Sequence, residues 1–104
     1  MPHHLNHMGT LFGGVAMSLS DEAGFLCASI AYPNACFVTK VFEAFDFLAP
    51  AKLGDILQIN TTVISKGNTS VKISIKGVNA KTQSPIFSTS AVFVNAPNGV
   101  KTPI

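Results

Sequence analysis

LFGGVAMSLSDEAGFLCASIAY, residues 11–32, carries apolar side chains at near-helical spacing: Leu11, Val15, Leu19 and Leu26, joined by Phe12, Ala16, Ala23 and Ile30. The spacing predicts one helix over 11–32, stopped by Pro33 and Asn34. Gly13, Gly14 and Gly24 lower its intrinsic propensity, so it must be held by packing. It is apolar nearly all round, which asks for a sheet wrapped about it or a second protomer laid against it. Asp21 and Glu22 interrupt this run. Burying a carboxylate is costly unless it is paired or hydrogen-bonded, so the pair either faces water or is kept for chemistry.

The same two acids argue against a membrane span. Each falls mid-window, where a charge costs roughly 2.5–3.5 kcal/mol on insertion scales. No Lys or Arg precedes the window, against a secretory signal. The expected setting is soluble and cytoplasmic.

Outward from the helix, residues 1–10 (MPHHLNHMGT) read as a loop. After Asn34 the period changes to two. CFVTKVFEAFDFL, residues 36–48, is rich in Phe and Val, as strands are. Its apolar phase shifts between Val38/Phe42 and Phe45/Phe47, which predicts a bulge or a change of neighbours. Residues 49–55 form a turn. A second strand over 56–65 puts Leu57, Ile59 and Val63 on one face and Gln58, Asn60 and Thr62 on the other. Lys66–Gly67–Asn68 signals a hairpin. Val71, Ile73 and Ile75 alternate with Lys72, Ser74 and Lys76, and a last strand over 86–94 turns Phe87, Ala91 and Phe93 inward. The tail from Asn95 reads as frayed. The 104 residues fit one domain of α+β class: a single helix followed by four antiparallel strands over 36–95, with a tail at 96–104.

Composition narrows the partners. Charged residues make up 12% of the chain. There is no Arg, which argues against sequence-specific reading of DNA, where Arg supplies the commonest base contact. Residues 1–39 carry only Asp21 and Glu22, while the rest holds seven Lys against Glu43, Asp46 and Asp55. That balance suits an anionic small molecule better than a polynucleotide. Cys27 and Cys36 fit no metal or redox spacing and read as two small buried hydrophobes of a reducing compartment. His3, His4 and His7 crowd a terminal loop with no partnering Cys or carboxylate, so no metal is expected.

Asn6, Gly9, Phe12, Gly13 and Gly14 form N-x-x-G-x-x-F-G-G, followed by D-E-A-G at Asp21–Gly24. Later, F-x-x-P-A-x-x-G-D spans Phe47–Asp55 and G-N-T-S spans Gly67–Ser70. Together these resemble the hotdog-fold acyl-CoA thioesterases, over nearly the whole chain. The resemblance implies a hotdog fold, an antiparallel sheet wrapped around one central helix. It also implies a homodimer or larger homo-oligomer with sites at the subunit interface, and coenzyme A only as part of the substrate. Members of that family usually carry a further strand ahead of the Asn loop, so the sheet here is expected to leave one edge open.

The chemistry follows. Thioester hydrolysis needs a base or nucleophile and donors for the developing oxyanion. Backbone N–H groups at Gly13 and Gly14 would lie at the helix start, where unsatisfied donors and the helix dipole favour negative charge. One such donor is worth about 100–1000-fold in rate. Asp21, seven residues after Gly14 as in the family, is the expected base or nucleophile. Glu22 points about 100° away on a helix and is given a supporting or interface role. By resemblance, Asn6 holds the attacking water or the substrate carbonyl. Phe12, Thr69 and Ser70 are candidate substrate contacts, the latter two from a partner protomer. Lys72 is a candidate for the phosphates of coenzyme A. The competing readings are a hotdog protein that binds acyl-CoA without hydrolysing it and a dehydratase or hydratase on the same fold. The second would need a His beside the acid, and the only histidines are in the terminal loop.

Overall fold

The computed structural model describes residues 13–49 and 55–104. Helix α1 runs Gly13–Ala31 and is followed by β1 (Phe37–Phe42), β2 (Asp46–Phe47), β3 (Leu57–Lys66), β4 (Ser70–Asn79) and β5 (Pro85–Asn95). All pair antiparallel in one five-stranded sheet of order β1-β5-β4-β3, with β2 also on β5. The expected strand over 36–48 is therefore two short ones. A bulge is present, but earlier than the expected phase shift between Phe42 and Phe45: Thr39 stands opposite Phe93 and Val41 opposite Val92, leaving Lys40 as the extra residue and Val38 and Phe42 on opposite faces. Beyond β4, β3 has no strand on its outer side among the described residues.

The alternation in β4 and β5 is as the sequence predicts. Val71, Ile73 and Ile75 are buried in one cluster with Ile86, Phe87, Ala91 and Phe93 and with Ala16 and Ala28 of the helix. The helix, apolar nearly all round, meets them with its small residues. Ala16, Ser20, Gly24 and Ala28 are the buried residues, spaced by four, while Leu26 is 52% and Ile30 79% exposed. Large helix side chains would hold the sheet away, because Phe93 and Ile75 already fill the gap: a Cβ on Gly24 would sit 2.8 Å from the Phe93 ring and 3.0 Å from Ile75 Cδ1. Ser20 buries its hydroxyl by donating to the Ala16 carbonyl at 2.7 Å. Leu11 and Phe12 of the predicted helix lie outside the described residues.

Two more expectations are corrected. The tail is tied down: Thr102 N–H donates to Asn95 O at 2.9 Å, and Ile104 N–H to Asn68 O at 3.0 Å. Asn95, 5% exposed, accepts from Cys36 N–H at 2.8 Å and donates from Nδ2 to the Thr102 and Pro103 carbonyls. One side chain thus joins the start of β1 to the C-terminal segment. Asn95→Ala should cost about 3 kcal/mol, near 1 kcal/mol per bond, in chemical denaturation. A loss under about 0.5 kcal/mol would show that water replaces all three. Cys36 is exposed and Cys27 half-buried, so only the latter behaves as a partly buried hydrophobe; both are free thiols. No helix among the described residues is long and apolar enough to cross a membrane.

Candidate active site

The candidate site is built on the first three turns of α1 and the strand beside it. Gly13 and Gly14 open the helix, so their N–H groups belong to the first turn, which has no intrahelical acceptors. Seven residues on, Asp21 lies about 10 Å further along the axis and within about 20° of the same face. It is half-buried, and its Oδ1 accepts a hydrogen bond from the Thr39 hydroxyl of β1 at 2.5 Å, in the range of charge-assisted O–H···O⁻ bonds.

Thr39 is in position because of the bulge. It pairs with Phe93, whose ring packs under Gly24 of the helix, so Thr39 is on the helix side of the sheet. The sequence reading does not single out Thr39 within the expected strand over 36–48. A signal is nonetheless present, since alternation from Phe37 puts this polar residue on the face meant for the core.

Glu22 is exposed, in an outward arc with Phe25 and Leu26. The two adjacent acids are separated by the helix, as their spacing implies. Thr69 and Ser70 lie at the start of β4: Ser70 is opposite Val94, which is opposite Val38 of β1, and the Thr69 carbonyl accepts from Asn95 N–H. Two strand spacings, about 10 Å, part them from β1 within one chain. Lys72 lies between buried Val71 and Ile73 and so faces away from the helix, where its ammonium meets Glu43 Oε1 at 2.7 Å. That hydrogen bond, with the lysine's charge and a bond to the Ser90 side chain, holds the Glu43 carboxyl below its ordinary value of 4.5. Asn6, Phe12 and the three histidines lie outside the described residues.

A carboxylate held by a hydroxyl thus lies two turns from a glycine-opened helix start, on one element. The chain also matches known proteins. The model of the thioesterase superfamily matches residues 8–86. The acyl-CoA thioester hydrolase YciA of Escherichia coli is 38% identical over 77 residues, which are 73% of this chain and 57% of that protein. The chain spans little more than half the length of the curated relatives it matches. Among solved structures, a hexameric hotdog-fold thioesterase of Campylobacter jejuni superposes with a TM-score of 0.84 at 29% identity, covering 100% of this chain and 84% of that one. The acyl-CoA hydrolase of Staphylococcus aureus, solved with butyryl coenzyme A, coenzyme A and coenzyme A disulfide, gives 0.89 at 28%, covering 99% and 65%. That hydrolase has also been solved with an aspartate and with a threonine replaced by alanine. With three quarters of its length inside the family model and its sheet wrapped on one helix as in these structures, the chain belongs to the thioesterase superfamily and has the hotdog fold.

Proposed function

We propose that the protein hydrolyses the thioester of acyl-CoA to a free acid and coenzyme A. The observation that carries this is the Asp21 carboxylate, fixed by Thr39 and aligned on one helix face with the Gly14 N–H. The space of about 10 Å between the two Cα positions narrows because helix side chains lean toward the N-terminus. A thioester carbonyl fits there with its oxygen on the helix donors and its carbon toward Asp21. Asp21 then either deprotonates a water that attacks this carbon or attacks it directly, giving an anhydride that water opens. In both routes the carbonyl electrons move onto the oxygen held by the N–H groups and return as the thiolate of coenzyme A leaves. Asn6, by resemblance, steadies the water or the carbonyl, and Phe12 borders the acyl group.

The assembly is a homo-oligomer, as the Campylobacter relative is. The exposed apolar helix arc of Phe25, Leu26 and Ile30, with Glu22 among them, is the surface that a second copy would cover. A second copy would also bring Thr69 and Ser70 to the site. The free thiols suit a cytoplasmic setting.

A thiol-release assay over short, long and aromatic acyl-CoAs tests the reading. Turnover above background that depends on Asp21 is expected. Binding of acyl-CoA without turnover would instead identify a protein that sequesters it.

A further inference from the structure

We infer that the outward face of α1 is a twofold contact with a second copy of the chain. The two helices run antiparallel with the axis beside Phe25 and Leu26, and each Glu22 carboxylate accepts a hydrogen bond from the partner's Ser29. This rests on the homo-oligomer reading above and is independent of the role given to Asp21.

The starting point is what the sheet leaves uncovered. The buried line of α1 is Ala16, Ser20, Gly24 and Ala28. At about 100° per residue, Val15, Leu19, Glu22, Leu26 and Ser29 lie on the opposite side, spaced by four, three, four and three. That is the spacing of a seam between two packed helices. Leu26 is 52% exposed, with Phe25 and Ile30 exposed beside it. Large apolar side chains gathered in one patch mark a contact surface. Glu22 falls in the middle of the seam. It is exposed, and neither its carboxylate nor the Ser29 hydroxyl has a hydrogen-bonding partner among the described residues. Asp21 is turned about 100° away from Glu22, so a helix laid on the seam leaves the candidate site open.

A second copy fits this face because the face is complementary to itself. In an isologous pair every group must find its partner on the same surface. With antiparallel helices and an axis midway between residues 25 and 26, Phe25 packs on the partner's Leu26. Residues 22 and 29 then come to one level, about 5 Å from the axis on either side. At the roughly 8–10 Å spacing of packed helices, a glutamate reaches a serine hydroxyl across the gap. The contact forms twice, and each acid meets one hydroxyl. Other arrangements do worse. An axis at Glu22 sets two carboxylates against each other, which opposes association. An axis at Ser29 leaves only the last turn of α1, which ends at Ala31, to overlap. A parallel twofold pair sets like residue beside like and again opposes the two acids. Glu22, which the single chain leaves without a contact, thus selects one orientation and one register, as polar residues in helix seams do.

The test uses the full chain without its two native thiols, Cys27→Ala and Cys36→Ser. Leu26→Cys, next to the axis, should form an intermolecular disulfide under mild oxidation, because its twin's Cα comes within the roughly 7 Å that a disulfide tolerates. Ile30→Cys is more exposed, but its twin lies about 13 Å away along the helices, so it should not. Ser29→Asp sets a carboxylate against the partner's Glu22 and should raise the dissociation constant of the assembly about tenfold in sedimentation velocity. Adding Glu22→Lys should restore it. Disulfide in both cysteine variants alike, or in neither while the protein is assembled, overturns the inference. So does a Ser29→Asp chain that assembles as tightly as the wild type, or a loss that Glu22→Lys does not restore. Each of these leaves the homo-oligomer reading standing. A wild-type chain that sediments as a monomer at every concentration overturns both, and a different partner then covers this face. If Ser29→Asp does not fold, the two cysteine variants decide.

Discussion

Asp21→Asn should lower kcat for acyl-CoA hydrolysis by about 100–10,000-fold, the usual worth of a positioned general base. Asparagine keeps the size of the side chain and an oxygen that can still accept from Thr39, so the helix and sheet have no reason to change. What is lost is the charge and the lone pair able to take a proton or attack carbon. KM should move little, because the helix N-terminal donors that hold the substrate oxygen remain. Thr39→Val keeps the β-branched shape that suits β1 and removes only the hydroxyl; a fall of about tenfold is expected, one hydrogen bond's worth of positioning. A single turnover in ¹⁸O-labelled water probes the two roles of Asp21. Label in the Asp21 carboxylate with an unlabelled product acid marks a nucleophile whose anhydride is opened at the Asp21 carbon, whereas a base delivers the label to the product acid. An Asp21→Asn protein with more than half the wild-type rate would remove Asp21 from the chemistry altogether.

The helix and the β4–β5 pair were legible because their signals are local. A run of apolar residues bounded by Pro33–Asn34, and strict alternation at Val71–Lys76, need no knowledge of what they pack against. The helix's contact face was not legible in that way. Hydrophobic periodicity weighs large side chains most, and so it favours Leu26 and Ile30, which the single chain leaves exposed. Contact with the sheet is instead made by Ala16, Ser20, Gly24 and Ala28, chosen for the small volume that Phe93 and Ile75 leave over. Asp21 was singled out by resemblance, from its place seven residues after Gly14, whereas Thr39 could not be assigned to it. Its placement depends on one extra residue in β1, and bulge positions are set by the neighbouring strand rather than by the sequence that bulges. The tail was misread for a similar reason. NAPNGVKTPI has no periodicity, and its order comes from Asn95, Asn68 and the strand end beneath it.

Gly77→Ala should be among the most destabilising single changes in the sheet, costing about 3 kcal/mol, the upper part of the overpacking range. Propensity alone argues the other way, since glycine weakens a strand interior and alanine would ordinarily help by about 0.5–1 kcal/mol. Packing decides the sign. Gly77 stands directly opposite Phe87 of β5, and that ring lies across it: an added Cβ would sit 2.1 Å from Phe87 Cε2 and 2.6 Å from Cδ2 and Cζ. The ring has nowhere to go. Phe87 is fully buried, and Phe45 stacks against it with centroids 5.0 Å apart and planes 20° apart, with Phe47 closing the cluster at 6.3 Å. Relief requires the β2 segment to lift from β5, which would expose the aromatic cluster on the helix side of the sheet. A double-mutant cycle isolates the cause. In a Phe87→Leu background the smaller side chain leaves room beside residue 77, so the same glycine substitution should become neutral or mildly stabilising. If Gly77→Ala is neutral in the wild-type background, Phe87 has another rotamer available and the aromatic stack is looser than its geometry implies. If the cost persists with leucine at 87, the glycine is required by the backbone shift between Gly77 and Val78 in the β4–β5 pairing and not by the ring.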